Sequence, residues 1–175
     1  MLDLSRYIQW LKNDGVLVMP TETVYGLAAS IESEPAILKI FEIKQRPLSN
    51  PLIVHIESVN DFSKYAQTVP DEVYQLATVF CPGPISFVLP AVPALSPLLL
   101  GGQTTVALRI PQHPIALQLI RELGTPIAAP SANRYKGLSA TTANAVALAM
   151  PELKDRIIDG GRCAAGVEST IVGFE

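Results

Sequence analysis

The chain has 175 residues, of which 49% are hydrophobic and 17% charged, and it carries a formal net charge of −3. That is enough for one domain with a buried core, and it is too apolar for a disordered chain. The acidic balance excludes a surface that is a nucleic-acid footprint as a whole, while a local basic patch stays compatible with it. No apolar run has the length to cross a bilayer, since the longest, near Val92 to Leu100, is broken by Pro93, Ser96 and Pro97. The opening Met-Leu-Asp-Leu-Ser-Arg lacks the order of a secretory signal, so a cytoplasmic protein with no membrane segment is expected. Cys81 and Cys163 form no CxxC element and are expected to be ordinary buried or half-buried thiols.

Leu4, Ile8 and Leu11 recur at helical spacing, and Asp14-Gly15 ends that helix ahead of a strand-like Val16 to Met19. A polar loop, Pro20 to Tyr25, follows. A second helix is expected over about Glu34 to Lys44, with Ile37, Ile40 and Phe41 on one face, then a buried strand over Leu52 to Ile56. Helical stretches around Val59 to Tyr65 and Asp71 to Phe80 lead into the turn Pro82-Gly83-Pro84 and a strand over Ile85 to Leu89. Thr104 to Ile110 reads as a strand, and Pro114 opens a helix to Leu123. Ile127-Ala128-Ala129 delivers the chain into Ser131. A helix marked by Ala143, Val146, Ala147 and Met150 should be capped by Thr141 or Thr142. Ile157-Ile158 and Thr170 to Val172 are the last strand candidates. The alternation predicts an α/β or mixed α+β sheet domain with no repeat and no linker.

Polar clusters sit where apolar strands end, which is where such sheets place ligands. Pro20-Thr21-Glu22-Thr23-Val24-Tyr25-Gly26 crowds hydroxyls, a carboxylate and a phenol into one loop, and a plain turn would explain it equally well. Lys44-Gln45-Arg46-Pro47 complements a helix dipole, yet two cations at that spacing also form a fork for phosphate oxygens. Arg109 lies in an apolar strand, so it needs either an internal ion partner or a bound carboxylate. Pro130-Ser131-Ala132-Asn133, with Ser139 beyond it, offers small polar groups for close contact with a nucleotide, or a turn and a cap.

Other chemistries lack their marks. Gly161 and Gly166 have the spacing of a phosphate loop, but Val167 stands where lysine is required. There is no GxGxxG, no GxSxG and no HExxH, and His55 and His113 are the only histidines.

In this order the clusters resemble the YrdC-like family. The resemblance runs from about Val18 to Phe174 and is carried by PTETVYGL from Pro20, KQRP with NPLIVH from Lys44 to His55, and PGPISFVLP from Pro82. VALRIPQHP from Val106, PIAAPSAN from Pro126 and GVESTIV from Gly166 complete it. It implies a twisted mixed α/β sheet with flanking helices around a deep open cavity. It also implies threonylcarbamoyl-AMP synthesis: L-threonine and bicarbonate give a carbamate that attacks the α-phosphate of ATP and releases pyrophosphate. The acyl group then passes, through a downstream tRNA threonylcarbamoyltransferase, to an adenosine of tRNA. By resemblance, Arg46, Asn50, Thr105, Ser131, Asn133 and Ser139 are the ATP side, with Lys44 and Arg46 as the catalytic cations. Thr23, His55, Arg109, Ala129 (through its backbone) and Ser169 are the threonine side. Mg²⁺ is expected to be carried with ATP, with no metal site in the protein. A weak contact with tRNA belongs to the same expectation.

The chain departs from the family at Cys81, where tryptophan is frequent, and at Tyr135-Lys136, where Ser-Gly is common. Its residues end after GVESTIV, where relatives continue with a further basic contact to ATP. The expectation is therefore one YrdC-like domain over residues 1–175, either cut short of a C-terminal segment or domain or closing its site differently. The alternatives are an RNA-binding module and a carbamoyl-adenylate-forming relative of the same fold. The acidic charge and five phenylalanines weigh against the first.

Overall fold

The computed structural model describes residues 2–174. Helix α1 (Ser5–Lys12) buries Ile8 and Leu11, and the chain leaves it through Asp14 at φ 56° into β1 (Leu17–Met19). The pattern did not reveal β2 (Gly26–Ser30), which pairs antiparallel with β1. Side chains alternate between two hydrophobic clusters here: Leu27 and Ala29 face one, while Ala28 faces the other. With both faces covered there is no apolar-polar alternation to read, and Gly-Leu-Ala-Ala-Ser has little β-branched character.

Helix α2 (Glu34–Lys44) is capped by Ser33, which accepts the Ala36 amide at 3.1 Å, and it has proline in its first turn. It ends with Arg46 N–H on Phe41 O and Gln45 N–H on Glu42 O, a Schellman closure with Gln45 at φ 52° where glycine is usual. β3 (Ile53–His55) follows. The expected helix over Val59 to Tyr65 is a 3-10 turn at Val59–Asp61 continued by the short α3 (Phe62–Tyr65). After α4 (Asp71–Phe80) come β4 (Ile85–Pro90), a short α5 (Pro97–Leu100) that the prolines had masked, and β5 (Thr105–Arg109).

Helix α6 (Pro114–Leu123) precedes β6 (Ile127–Ala128), and α7 (Ala143–Ala149) is capped by Thr142. A 3-10 segment, Pro151–Arg156, then leads to Ile157, which makes only an isolated bridge to Val18 instead of a strand. The chain closes on β7 (Thr170–Gly173).

The seven strands form one mixed sheet in the order β1-β2-β6-β3-β5-β4-β7, with β3/β5 and β4/β7 parallel and the rest antiparallel. Helices α1 and α6 cover one face with Ile8, Leu11, Leu119 and Ile120. The larger cluster, including Ile37, Ile40, Val54, Phe87 and Leu108, fills the other. The fold is thus the expected mixed α/β sheet with flanking helices. No helix among the described residues is long and apolar enough to cross a membrane.

Candidate functional site

The end of α2 is pinned to the loop after β6. Lys44 is 1% exposed, and its Nζ donates to Ser131 O at 2.5 Å, Asn133 O at 2.6 Å and Asn133 Oδ1 at 3.0 Å. All three ammonium protons therefore have protein acceptors. Burial and the nearby Arg46 push its pKa down to about 8, and Glu168 partly offsets this. Asn133 organises the same loop, accepting from Ser131 Oγ at 2.7 Å and donating to Gly137 O at 2.5 Å. The Tyr135 amide returns to Lys44 O at 2.9 Å, and Lys136 takes φ 64°.

Arg46 turns toward the start of β3, donating from Nη2 to Pro51 O at 2.9 Å and from Nε to Asn50 O at 3.4 Å. Gly101 packs against this segment in the left-handed region, φ 59°. A Cβ there would lie 2.7 Å from Ser49 O and Pro51 N, so only glycine fits. Thr105 opens β5 and is half-buried; its hydroxyl donates to Gln103 Oε1 at 3.4 Å.

Arg109 lies at the far end of β5, four residues and roughly 13 Å along the strand from Thr105. It is 3% exposed, and its Nη2 donates to Glu22 Oε1 at 2.6 Å and Thr23 Oγ1 at 2.9 Å. The other Glu22 oxygen accepts the Gln112 amide at 3.0 Å. So the internal partner that the strand demanded exists. His55 sits beside Arg109 in the β3–β5 register, and burial first, then the Arg109 charge, pushes its pKa down to about 3. Among the described residues two buried atoms here lack hydrogen-bond partners, His55 Nδ1 and Arg109 Nε. Leaving such groups bare costs about 1–3 kcal/mol each, so both call for a partner that the chain itself does not supply.

The Pro20–Tyr25 loop joins the two halves. Thr23 meets Arg109, while Tyr25 O accepts the Ala132 amide at 2.7 Å and Gly26 bridges Ser131. Thr21 and Thr23 share a hydrogen bond of 2.9 Å that fixes the loop. The Ala129 amide donates to Ile53 O at 3.1 Å, which ties this segment to β3.

A rim segment closes the arrangement. The Cys163 amide donates to Thr141 O and the Ala165 amide to Glu22 O at 2.8 Å. Ser139 Oγ donates to Glu168 Oε1 at 2.5 Å, and the Ser169 and buried Ser86 hydroxyls lie 2.8 Å apart. Cys163 is buried and Cys81 half-buried, both as free thiols.

The structure thus unites Thr23, His55 and Arg109, and separately Lys44, Ser131 and Asn133. Arg46 and Asn50 form a third contact. Thr105, Ser139 and Ser169 touch none of these by side chain in the hydrogen bonds described. The sequence reading named Glu22 within the polar loop without giving it a partner, and it passed over Ser86. An acid in the loop facing an arginine in an apolar strand was the available signal for Glu22; Ser86, the one polar residue inside β4, carried a weaker one.

The Sua5_yciO_yrdC family model, described as "Telomere recombination", matches residues 9–175. The threonylcarbamoyl-AMP synthase of Bacillus subtilis (strain 168) is 45% identical over 163 residues, which are 93% of this chain and 47% of that protein. Its namesake from Pyrococcus abyssi (strain GE5 / Orsay) is 44% identical over 93% of this chain and 48% of that protein. The crystal structure of P. abyssi Sua5 complexed with L-threonine matches with a TM-score of 0.93 and 43% identity, over 97% of this chain and 50% of the solved one. The chain spans about half the length of these relatives. On the match of sequence and sheet together, the chain belongs to the Sua5/YciO/YrdC family.

Proposed function

We propose that the chain makes threonylcarbamoyl-AMP and pyrophosphate from L-threonine, bicarbonate and ATP in the cytoplasm, for transfer to tRNA by a downstream threonylcarbamoyltransferase. The observation that carries this reading is the pair of unpartnered buried atoms, Arg109 Nε and His55 Nδ1, beside the Thr23 hydroxyl. Glu22 and Thr23 occupy Arg109 Nη2, so an amino-acid carboxylate would be held by the guanidinium protons that these two leave unused. The names of the relatives and the L-threonine complex of P. abyssi Sua5 support it.

In this reading Thr23, His55, Arg109, the Ala129 carbonyl and Ser169 hold threonine. Arg46, Asn50, Thr105, Ser131, Asn133 and Ser139 hold ATP. Lys44 keeps the 131–133 loop in shape with its three hydrogen bonds and adds positive charge behind it. Bicarbonate and the threonine amine condense to a carbamate with loss of water. A carbamate oxygen then attacks the α-phosphorus, and the bond to the β-phosphate oxygen breaks to release pyrophosphate. Placing the two reactants together and neutralising phosphate charge supply the acceleration, and no covalent enzyme intermediate is needed. Mg²⁺ would arrive on the nucleotide and neutralise phosphate charge. The described residues hold no group of three or more His, Cys, Asp or Glu placed to bind a metal, and an ion carried by phosphate oxygens and water requires none.

The test is pyrophosphate release from ATP with each amino acid in turn, with and without bicarbonate. Release that needs both L-threonine and bicarbonate is expected. Release indifferent to the amino acid, or undiminished without bicarbonate, would overturn the reading.

A further inference from the structure

A groove of about 750 Å³ runs between α1, the outer side of α2 and the Pro151–Arg156 segment. Its volume falls in the range of small-molecule sites. None of the residues proposed to touch threonine or ATP lines it.

Trp10 stands on its wall, 43% exposed. The indole is held in place on both counts that matter. Its edge lies so close to Gly15 that a Cβ there would sit 2.0 Å from Trp10 Cδ1, and the Arg156 guanidinium stacks 4.8 Å from its ring centroid. A fixed, water-facing indole with a guanidinium on it is a platform for a planar aromatic ring.

The charge around it is lopsided. Arg6, Lys39, Arg134 and Arg156 face Glu42 and Glu152, and Arg134 already pairs with Glu152 at 2.6 Å. Lys39 Nζ donates to the Asp14 carbonyl and Arg6 to the Tyr7 hydroxyl, both neutral acceptors. Among the described residues Arg6, Lys39 and Arg156 make no salt bridge. With Asp155 also beside Arg6 and Arg156, the surroundings of the one tryptophan still carry more cations than anions, in a chain that is acidic as a whole. An anion joined to a flat ring answers both features, whereas an acidic peptide answers only the charge.

We propose that this groove is a second ligand site, one that takes a nucleoside phosphate with its base on Trp10 and its phosphate toward Arg6 and Lys39. The unit is supplied either free or as part of a single-stranded RNA, and the test separates the two sources.

Because Trp10 is the chain's single tryptophan, fluorescence excited at the red edge of indole absorption, where the five tyrosines stay silent, reports on this indole. The full chain is titrated with AMP and with a short single-stranded RNA, alongside the double variant Arg6→Ala/Lys39→Ala, whose changes are both on exposed side chains. Saturable quenching is expected, retained when Arg46→Ala weakens the other nucleotide site. Its half-saturating concentration should rise roughly tenfold in the double variant, as loss of two phosphate contacts implies. Quenching by AMP identifies a free nucleotide, and quenching by RNA alone identifies a strand; either supports the site. No quenching by either ligand, quenching unchanged in the double variant, quenching lost in Arg46→Ala, or equal quenching by a polyglutamate peptide would each overturn it.

Discussion

Glu22 and Arg109 are 87 residues apart in sequence and 2.6 Å apart in the interior, each less than one-tenth exposed. A charge in that position is tolerable only while its partner remains. Glu22→Gln keeps the shape and removes the counter-charge, so it should cost about 3–5 kcal/mol in urea unfolding. The double variant Glu22→Gln/Arg109→Met should lose less than the sum of the single changes. A Glu22→Gln loss no larger than that of a surface change would mean that the pair does not carry the stability assigned to it.

Arg109 and Arg46 lie in separate contact groups, and their removal should separate in the kinetics. Arg109→Ala should raise KM for threonine by one to two orders of magnitude with little change for ATP, as loss of a charge-assisted pair implies. Arg46→Ala should do the converse. Steady-state kinetics with each substrate varied at saturating levels of the other would decide, and indistinguishable defects would end the division of roles.

The sheet was largely legible in the sequence because most strands announce themselves through β-branched runs bounded by proline or glycine. β2 was not, because burial on both faces erases alternation. The candidate site was legible as polar clusters at strand ends, and their assignment to two substrates comes from the family resemblance and stays a proposal. The direction in which Lys44 points could not be read. A cation at a helix end looks the same in sequence whether it faces a ligand or, as here, three oxygens of its own chain. The pairing of Glu22 was hidden for a similar reason, since its partner comes from a strand far along the chain.

Lys44→Met should loosen the 131–137 loop. The amides of Tyr135 and Gly137 should exchange faster by hydrogen-deuterium measurement, and stability should fall by about 2–4 kcal/mol from the stranded acceptors. In the wild type, kcat/KM for ATP should decline as pH rises through about 8, where the ammonium is lost. Stability moves the other way. The unfolded lysine keeps its proton up to 10.5, so between these values unfolding takes up a proton and becomes less favourable as pH rises. Activity falling while the fold is maintained would separate this titration from alkaline unfolding.

His55 gives an acid-side signature. Its folded pKa of about 3 lies below the ordinary 6.5, so the neutral ring contributes fully above 6.5. That contribution is lost as pH falls through this window toward 3, at up to about 1.4 kcal/mol per pH unit. Chemical unfolding from pH 7 to 4 should show a shallower slope in His55→Asn than in the wild type. Parallel slopes would exclude His55 as the source.

The rim segment from Cys163 to Ser169 has a thermodynamic consequence. Its Ala165 amide hangs on the carbonyl of Glu22, whose carboxylate holds Arg109, while Glu168 a few residues on holds Ser139. A molecule settling on Arg109 and a molecule settling on Ser139 therefore both draw order from the same short stretch of backbone. If binding of the first tightens that stretch, the second inherits the ordering, so isothermal titration of each in the presence of the other should show positive cooperativity even though neither touches the other.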